Sequence, residues 1–302
     1  MRLSSLLTSG TRLSVVAAAL GTLAISARAE SLYALSYSGT LYRIQSNGSY
    51  AVIASSIPYP SGLAVDNSGN AFVADQLNSR IYKFTPSGVK TVYATVPGFD
   101  MPSIVFDAAG SLYVSENDLH DIRKIAADGT QSIFASGLQD PTGLAIDVAG
   151  NLYEADNLRG KINKFSSEGV NLLTLTVPDA FKLAFDSSSN LLVTRFHQGD
   201  VLRIQPNGSV TSLASELNTP YGMSIGADDS AYISEGFTTN IDRIAPNGSV
   251  STFVSMPEGI GNLAFGPDAP ITSTPEPSGW ALLASGLCTV GGILRHRRKR
   301  MS

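Results

Sequence analysis

The sequence predicts an all-β protein, a six-bladed β-propeller of four-stranded antiparallel blades. Three observations carry this expectation. A phrase of about forty residues recurs along the chain, the period of repeated supersecondary units that must stack to bury a core. Its equivalent positions Asp66, Asp107, Asp147, Asp186, Gly226 and Gly266 lie 41, 40, 39, 40 and 40 residues apart. Within each copy, four short apolar runs alternate with turn residues, as in an antiparallel meander. Helical periodicity is absent between Glu30 and Pro270.

Taken in order, the chain enters at Ser31 to Leu35, which matches the second strand of a blade. Leu41 to Ile44 matches the third strand and Tyr50 to Ala54 the fourth. The next unit is complete. Gly62 to Asp66 is an apolar run, Asn67 to Asn70 a polar turn, and Ala71 to Ala74 a second run. Ile81 to Phe84 then alternates, and Thr91 to Ala94 follows a turn containing Gly88. Further units begin at Pro102 and Pro141, and weaker ones centre on Phe185 and Ile225. Asn47-Gly48, Asn207-Gly208 and Asn247-Gly248 suit tight type I′ hairpins, whose two central residues need positive φ. The chain returns with Gly261 to Gly266, a lone first strand that should complete the first blade and close the ring. Such closure leaves only short, protected edges, so a monomer is expected.

The phrase Pro60, Gly62, Leu63, Ala64, Val65, Asp66, Gly69, Asn70, Phe72, Val73, Ala74, Asp75, followed by Ile81, Lys83 and Phe84, resembles the repeat of the NHL family. The copy from Pro141 follows it well, through Asp147, Gly150, Asn151, Tyr153 and Asp156. Ser187 to Asn190 lacks the turn glycine, Arg195 stands where other copies have Asp or Glu, and Gly226 replaces the turn Asp. The resemblance covers residues 31 to 268 and implies the fold. It implies no activity, because propellers host unrelated functions.

Both ends read as addresses. Residues 1–29 carry Arg2 and Arg12, an apolar stretch from Leu13 to Ile25, and Ala27-Arg28-Ala29. That order makes a secretory signal peptide. The expected propeller occupies 30–268, and 269–274 reads as a linker. In 275–302, Pro275, Glu276 and Pro277 precede an apolar run from Gly279 to Leu294 and a basic cluster from Arg295 to Arg300. This tail resembles a PEP-CTERM sorting signal. The resemblance implies a bacterial envelope or extracellular protein handled by an exosortase. Association with the membrane through this tail would be transient, with the basic cluster on the cytoplasmic side.

Between Glu30 and Thr274 there are 13 basic and 24 acidic residues, so the propeller carries 13 − 24 = −11. This argues against nucleic acid and anionic lipid, and favours cations, basic groups or neutral glycans. The single cysteine, Cys288, lies in the tail, so thiol chemistry is absent from the propeller sequence.

The positions closing each second strand are Ser36, Asp75, Glu116, Asp156, Arg195 and Glu235. Propeller symmetry gathers them on one face as a ligand-binding ring. Asp75, Glu116, Asp156 and Glu235 supply oxygens of the kind calcium takes. Alternatively they brace the following loops, and Arg195 pairs with a neighbouring acid. His120 and His197 stand in loops on the same face, as candidate bases or ligands. Tyr59, Phe99, Phe181, Tyr221 and Phe237 lie near this rim and suit a ring-shaped ligand. Asp66, Asp107, Asp147 and Asp186 should brace turns on the opposite face.

Three readings follow. The first is a non-catalytic exported module that binds a glycan, peptide or protein. The second is an enzyme, since six-bladed lactonases and streptogramin lyases resemble this repeat architecture. It would use His120 or His197 with Glu116 or Glu235. The first-strand entry positions Gly62, Ser103, Gly143, Lys182, Gly222 and Asn262 form a poor metal-ligand set for a lactonase. The third is a structural matrix component.

Overall fold

A computed structural model describes residues 30–268. Among them the strands form six four-stranded antiparallel sheets arranged as the blades of a propeller. The inner strands are Pro60–Val65, Ile104–Phe106, Pro141–Ile146, Ala180–Phe185, Pro220–Ile225 and Ile260–Pro267. Each is followed outward by a second, third and fourth strand. The composite blade forms as the sequence predicts. Its inner strand is Ile260–Pro267, and it pairs with Glu30–Ser36 from Glu30↔Pro267 to Ser36↔Ile260.

The core lies between blades. Inner and second strands are buried almost throughout, whereas the fourth strands expose Val52, Val92, Ile133 and Leu172. This gradient follows from the stacking, since only the inner three strands are covered on both faces. One position in the second strand repeats an aromatic clasp. Phe72, Tyr113, Tyr153 and Tyr232 each meet a ring edge-on with centroids 4.8 to 5.0 Å apart. Burying one such side chain contributes about 1.5–3 kcal/mol.

Polar side chains also stitch neighbouring blades around the central channel. Ser61 Oγ donates to Met101 O at 2.8 Å, and Leu144 N donates to Ser103 Oγ at 3.1 Å. Thr142 Oγ1 donates to Phe181 O at 3.2 Å, and Asn262 Nδ2 donates to Ser61 O at 2.8 Å. These bonds use carbonyl and amide groups that the inner strand's free edge would otherwise leave unpaired.

The turn aspartates act as braces. Asp66 Oδ1 accepts from Ser68 N and Asn70 N, both at 2.9 Å, and Asp107, Asp147 and Asp186 repeat the pattern. The Asn-Gly hairpins differ from the expected two-residue form. Gly48 N donates to Gln45 O at 2.9 Å and Gln45 N to Ser49 O at 2.8 Å. Only Gly48 has positive φ, at 81°, and Asn47 does not. The loop is therefore three residues long with glycine last, and Asn47 contributes its Oδ1 as an acceptor for Ser49 N. A turn of this shape needs one left-handed residue, not two.

Candidate functional site

The ends of the second strands and the starts of the inner strands define one face, termed the crown. The turn aspartates Asp66, Asp107, Asp147 and Asp186 occupy the opposite face. All six residues of the predicted ring stand at the crown, and each is already engaged.

Asp75 accepts from Asn78 N at 3.2 Å and Asn78 Nδ2 at 2.7 Å. Asp156 accepts from Gln139 N and Asp140 N, both at 3.1 Å, with Arg159 at 3.5 Å. Glu235 accepts from Asn218 N at 2.9 Å. Glu116 accepts from Gly98 N at 3.0 Å and pairs with Arg123 Nε at 2.8 Å. Burial pushes the Glu116 carboxyl up, and the adjacent Asp121 carboxyl adds to this against the Gly98 amide and Arg123. Arg195 is bound to Asp200 at the start of its own blade's third strand. Ser36 Oγ receives Thr40 N at 2.9 Å. Among the described residues, no three His, Cys, Asp or Glu side chains stand close enough together to hold a metal ion.

The two histidines lie apart, on different blades. His120 has Nδ1 3.0 Å from Gln139 O. His197 Nδ1 donates to Asp179 Oδ1 at 2.8 Å, and Asp179 Oδ2 also takes the amides of His197 and Gln198. With Nδ1 committed to a carboxylate, the neutral imidazole carries its lone pair on Nε2.

The most concentrated chemistry on the crown is aromatic. Phe181 and Tyr221 have centroids 5.0 Å apart, Phe181 and Phe196 5.4 Å, and Tyr37 and Tyr221 5.5 Å. His197 lies edge-on to Phe196 at 4.9 Å. Gly259 and Gly261 make the bed for Tyr37, since an added Cβ on either would lie 3.2 Å from its ring. Burial, then the neighbouring Tyr221, pushes the Tyr37 hydroxyl up, and burial with the Asp100 charge does the same for Tyr221. Beneath these rings, Lys182 Nζ stands 5.5 Å from the Phe181 centroid and 6.0 Å from that of Tyr221.

Around this cluster the crown exposes Tyr59, Leu77, Phe99, Leu158 and Phe237, the last at 78%. An acidic network accompanies them. Asp100 accepts from Gln76 Nε2 at 2.7 Å and Asn117 Nδ2 at 3.1 Å, and Asp118 accepts from the amides of Phe99 and Asp100. The crown loops are also strained. Ser56, Tyr59, Ser79, His120, Asp179, Glu216 and Thr219 all hold positive φ, between 37° and 64°.

The sequence pattern of the Virginiamycin B lyase family matches residues 47–262, most of the chain. The chain belongs to that family. The repeat likeness to NHL propellers is thus narrowed to the Virginiamycin B lyase type of propeller. Solved structures agree on the fold. A propeller in a nidogen/laminin complex superposes with a TM-score of 0.70 at 19% identity, covering 78% of this chain and 98% of that one. A streptogramin B lyase gives 0.58 at 17% identity, covering 75% and 74%. A catalytically inactive histidine-to-alanine variant of virginiamycin B lyase from Staphylococcus aureus, with quinupristin, gives 0.55 at 20% identity, covering 66% and 70%. No curated protein matches the sequence.

Sequence reasoning placed Phe181 and Tyr221 at this rim but missed Tyr37, Phe196 and Lys182. A signal was present for each. Tyr37 directly follows Ser36, and Phe196 follows Arg195, so both leave the second strand at the ring position. Lys182 occupies a level at which Gly62, Gly143 and Gly222 stand in alternate blades. The expected signal peptide and sorting tail lie outside the described residues.

Proposed function

We propose that this Virginiamycin B lyase family propeller is an exported, non-catalytic binding module. Its crown captures a neutral or cationic ligand with flat apolar faces, such as a glycan or an aromatic, basic peptide. One observation carries the reading: the ring cluster of Tyr37, Phe181, Phe196 and Tyr221 on a face that also exposes Tyr59, Phe99 and Phe237. Exposed aromatic platforms give large contact area at low entropic cost. The net charge of the propeller sequence and Asp100 and Asp118 at the crown favour a cationic or neutral partner. Strained loop residues on the same face support it, since held strain clusters at ligand-contacting sites. The sequence of both ends supports export and exosortase sorting.

The test is titration of the purified protein with neutral oligosaccharides and basic aromatic peptides, followed by Tyr221→Ala and Phe181→Ala. Saturable binding that either substitution weakens at least tenfold supports the reading. Binding that survives both, or no binding to any of these ligands, overturns it.

Family membership and the His197–Asp179 pair favour a second reading. Asp179 fixes the imidazole with Nε2 outward beside Phe196, the arrangement of a general base. This side chain could remove a proton α to an ester carbonyl of a cyclic depsipeptide, opening the ring by elimination. Ring opening of quinupristin by the wild type and its loss in His197→Ala would establish the enzyme. Intact quinupristin after prolonged incubation with added magnesium or calcium would retire it.

A further inference from the structure

Below the aromatic cluster, the propeller's channel contains a cavity of about 340 Å³. Its walls include Leu63, Ile104, Leu144, Leu183, Met223 and Leu263, with Ser103, Lys182 and Asn262 at its polar end. Lys182 starts on the inner strand Ala180–Phe185 and crosses toward two other blades. Its Nζ donates to Pro102 O at 2.7 Å and to Thr142 O at 3.2 Å. The residue is 6% exposed. Among the described residues no carboxylate pairs with it.

This arrangement has a consequence for the nitrogen. Two hydrogens are held by two carbonyls, which leaves one tetrahedral position. A third N–H there would be a buried charge with no counter-ion, which is costly. A lone pair there is a free nucleophile. Burial alone pushes this amine down to about 7, so a large share is neutral near physiological pH. Desolvated lysines of this kind are the ones that add to carbonyl groups.

We propose that Lys182 is the reactive amine of a carbonyl-binding site in the channel, taking a small neutral aldehyde or ketone as a reversible imine. The nitrogen lone pair adds to the carbonyl carbon, and the carbonyl electron pair moves to oxygen. That oxygen takes one amine proton through solvent, giving a carbinolamine. The hydroxyl then leaves with the second amine proton as water while the C=N bond forms. The reverse is hydrolysis, and no oxidant or reductant enters. Ser103 Oγ accepts from Leu144 N and keeps its own hydrogen to donate to the incoming oxygen. The cavity presents more polar than apolar surface, because the large side chains of its walls are mostly turned into the seams between blades, so a short carbonyl compound suits it better than a long aliphatic chain. A neutral ligand is also not opposed by the acidity of the propeller sequence, as an anion would be. The site lies directly beneath the crown's rings, but imine formation needs no occupant above them, so the proposal does not rest on the function proposed for the crown.

The experiment is reductive trapping on the full folded chain. The protein is incubated with butanal and cyanoborohydride, and the modified lysines are mapped by peptide mass spectrometry. At pH 7 an ordinary lysine is free base to roughly one part in several thousand, against about half for an amine titrating near 7. Lys182 should therefore be alkylated first, by roughly a thousandfold in free-amine share, ahead of Lys83, Lys90 and Lys161. Its trapping rate should level off above about pH 8, whereas surface lysines keep gaining towards pH 10. The preference should vanish in urea. Alkylation spread evenly over the folded protein, or a Lys182 left unmodified while the others react, overturns the proposal. So does a Lys182 rate that rises in parallel with the surface lysines.

Discussion

Glu154 occupies a second-strand position at which the other repeats carry Val73, Val114, Val193, Ile233 and Ala34. Its side chain is buried. Oε2 accepts from Asn163 Nδ2 at 2.9 Å, and Oε1 has no partner. Burial pushes the carboxyl up to about 8, with the Asp156 and Asp140 charges adding to it against Asn163 and Arg159. Between the ordinary glutamate range and pH 8, the folded protein holds a proton that the unfolded chain has released. Stability therefore falls as pH rises through that window. The loss from this residue alone is under about 1 kcal/mol at pH 5 and about 4 kcal/mol at pH 8. Glu154→Gln keeps the shape and an acceptor for Asn163 but has nothing to titrate. Thermal unfolding of wild type and variant should nearly coincide at pH 5. At pH 8 the variant should melt roughly 10 °C higher, at about 2–4 °C per kcal/mol for a domain of this size. A difference that stays constant from pH 5 to pH 8 would refute the reasoning, because it would mean that the carboxylate is ionised and compensated in the fold.

Further predictions concern braces and seams. Ser189 holds φ at 62° where Gly69, Gly110 and Gly150 stand in other blades, so Ser189→Gly should stabilise by about 1 kcal/mol, read from urea midpoints at constant slope. Asp156→Ala strips the acceptor from two loop amides and should cost about 2–4 kcal/mol, by the same amount in calcium and in chelator. A loss seen only in calcium would instead make Asp156 a metal ligand. Leu263→Ala in the closing strand should cost about 2–5 kcal/mol in chemical denaturation, since Leu263 is buried in the seam between the last blade and the first.

The blades were legible because a propeller repeats one hydrogen-bonding plan, and the plan requires a turn every few residues. Asp66 and its equivalents mark the register, and the unpaired fragments at Ser31 and Gly261 forecast the composite blade. The carboxylate ring was legible as a level in the fold, and loop bracing and a partner for Arg195 were among the readings the pattern offered, but the pattern did not choose between bracing and ligand binding. Whether Asp75 faces a ligand or Asn78 depends on a loop four residues long, Gln76 to Ser79, and symmetry says nothing about it. Lys182 was visible only as an odd residue among glycines. Its reach across the channel to Pro102 is a contact between residues 80 positions apart, set by ring curvature rather than by local pattern. Glu154 could have been flagged from the alignment of repeats, since a charge replaces a valine there. The aromatic cluster joins Tyr37 to Tyr221, Phe181 and Phe196, so it exists only after the ring has closed.

The composite blade also fixes an orientation. Glu30 pairs with Pro267, so the first and last strands begin and end side by side on the face opposite the crown. Inner strands run from crown to base and second strands run back, which puts both attachment points at the base. A tether joined through either end would hold the disc by its base. Tyr59, Phe99 and Phe237 would then point away from whatever anchors the protein, toward whatever passes over it.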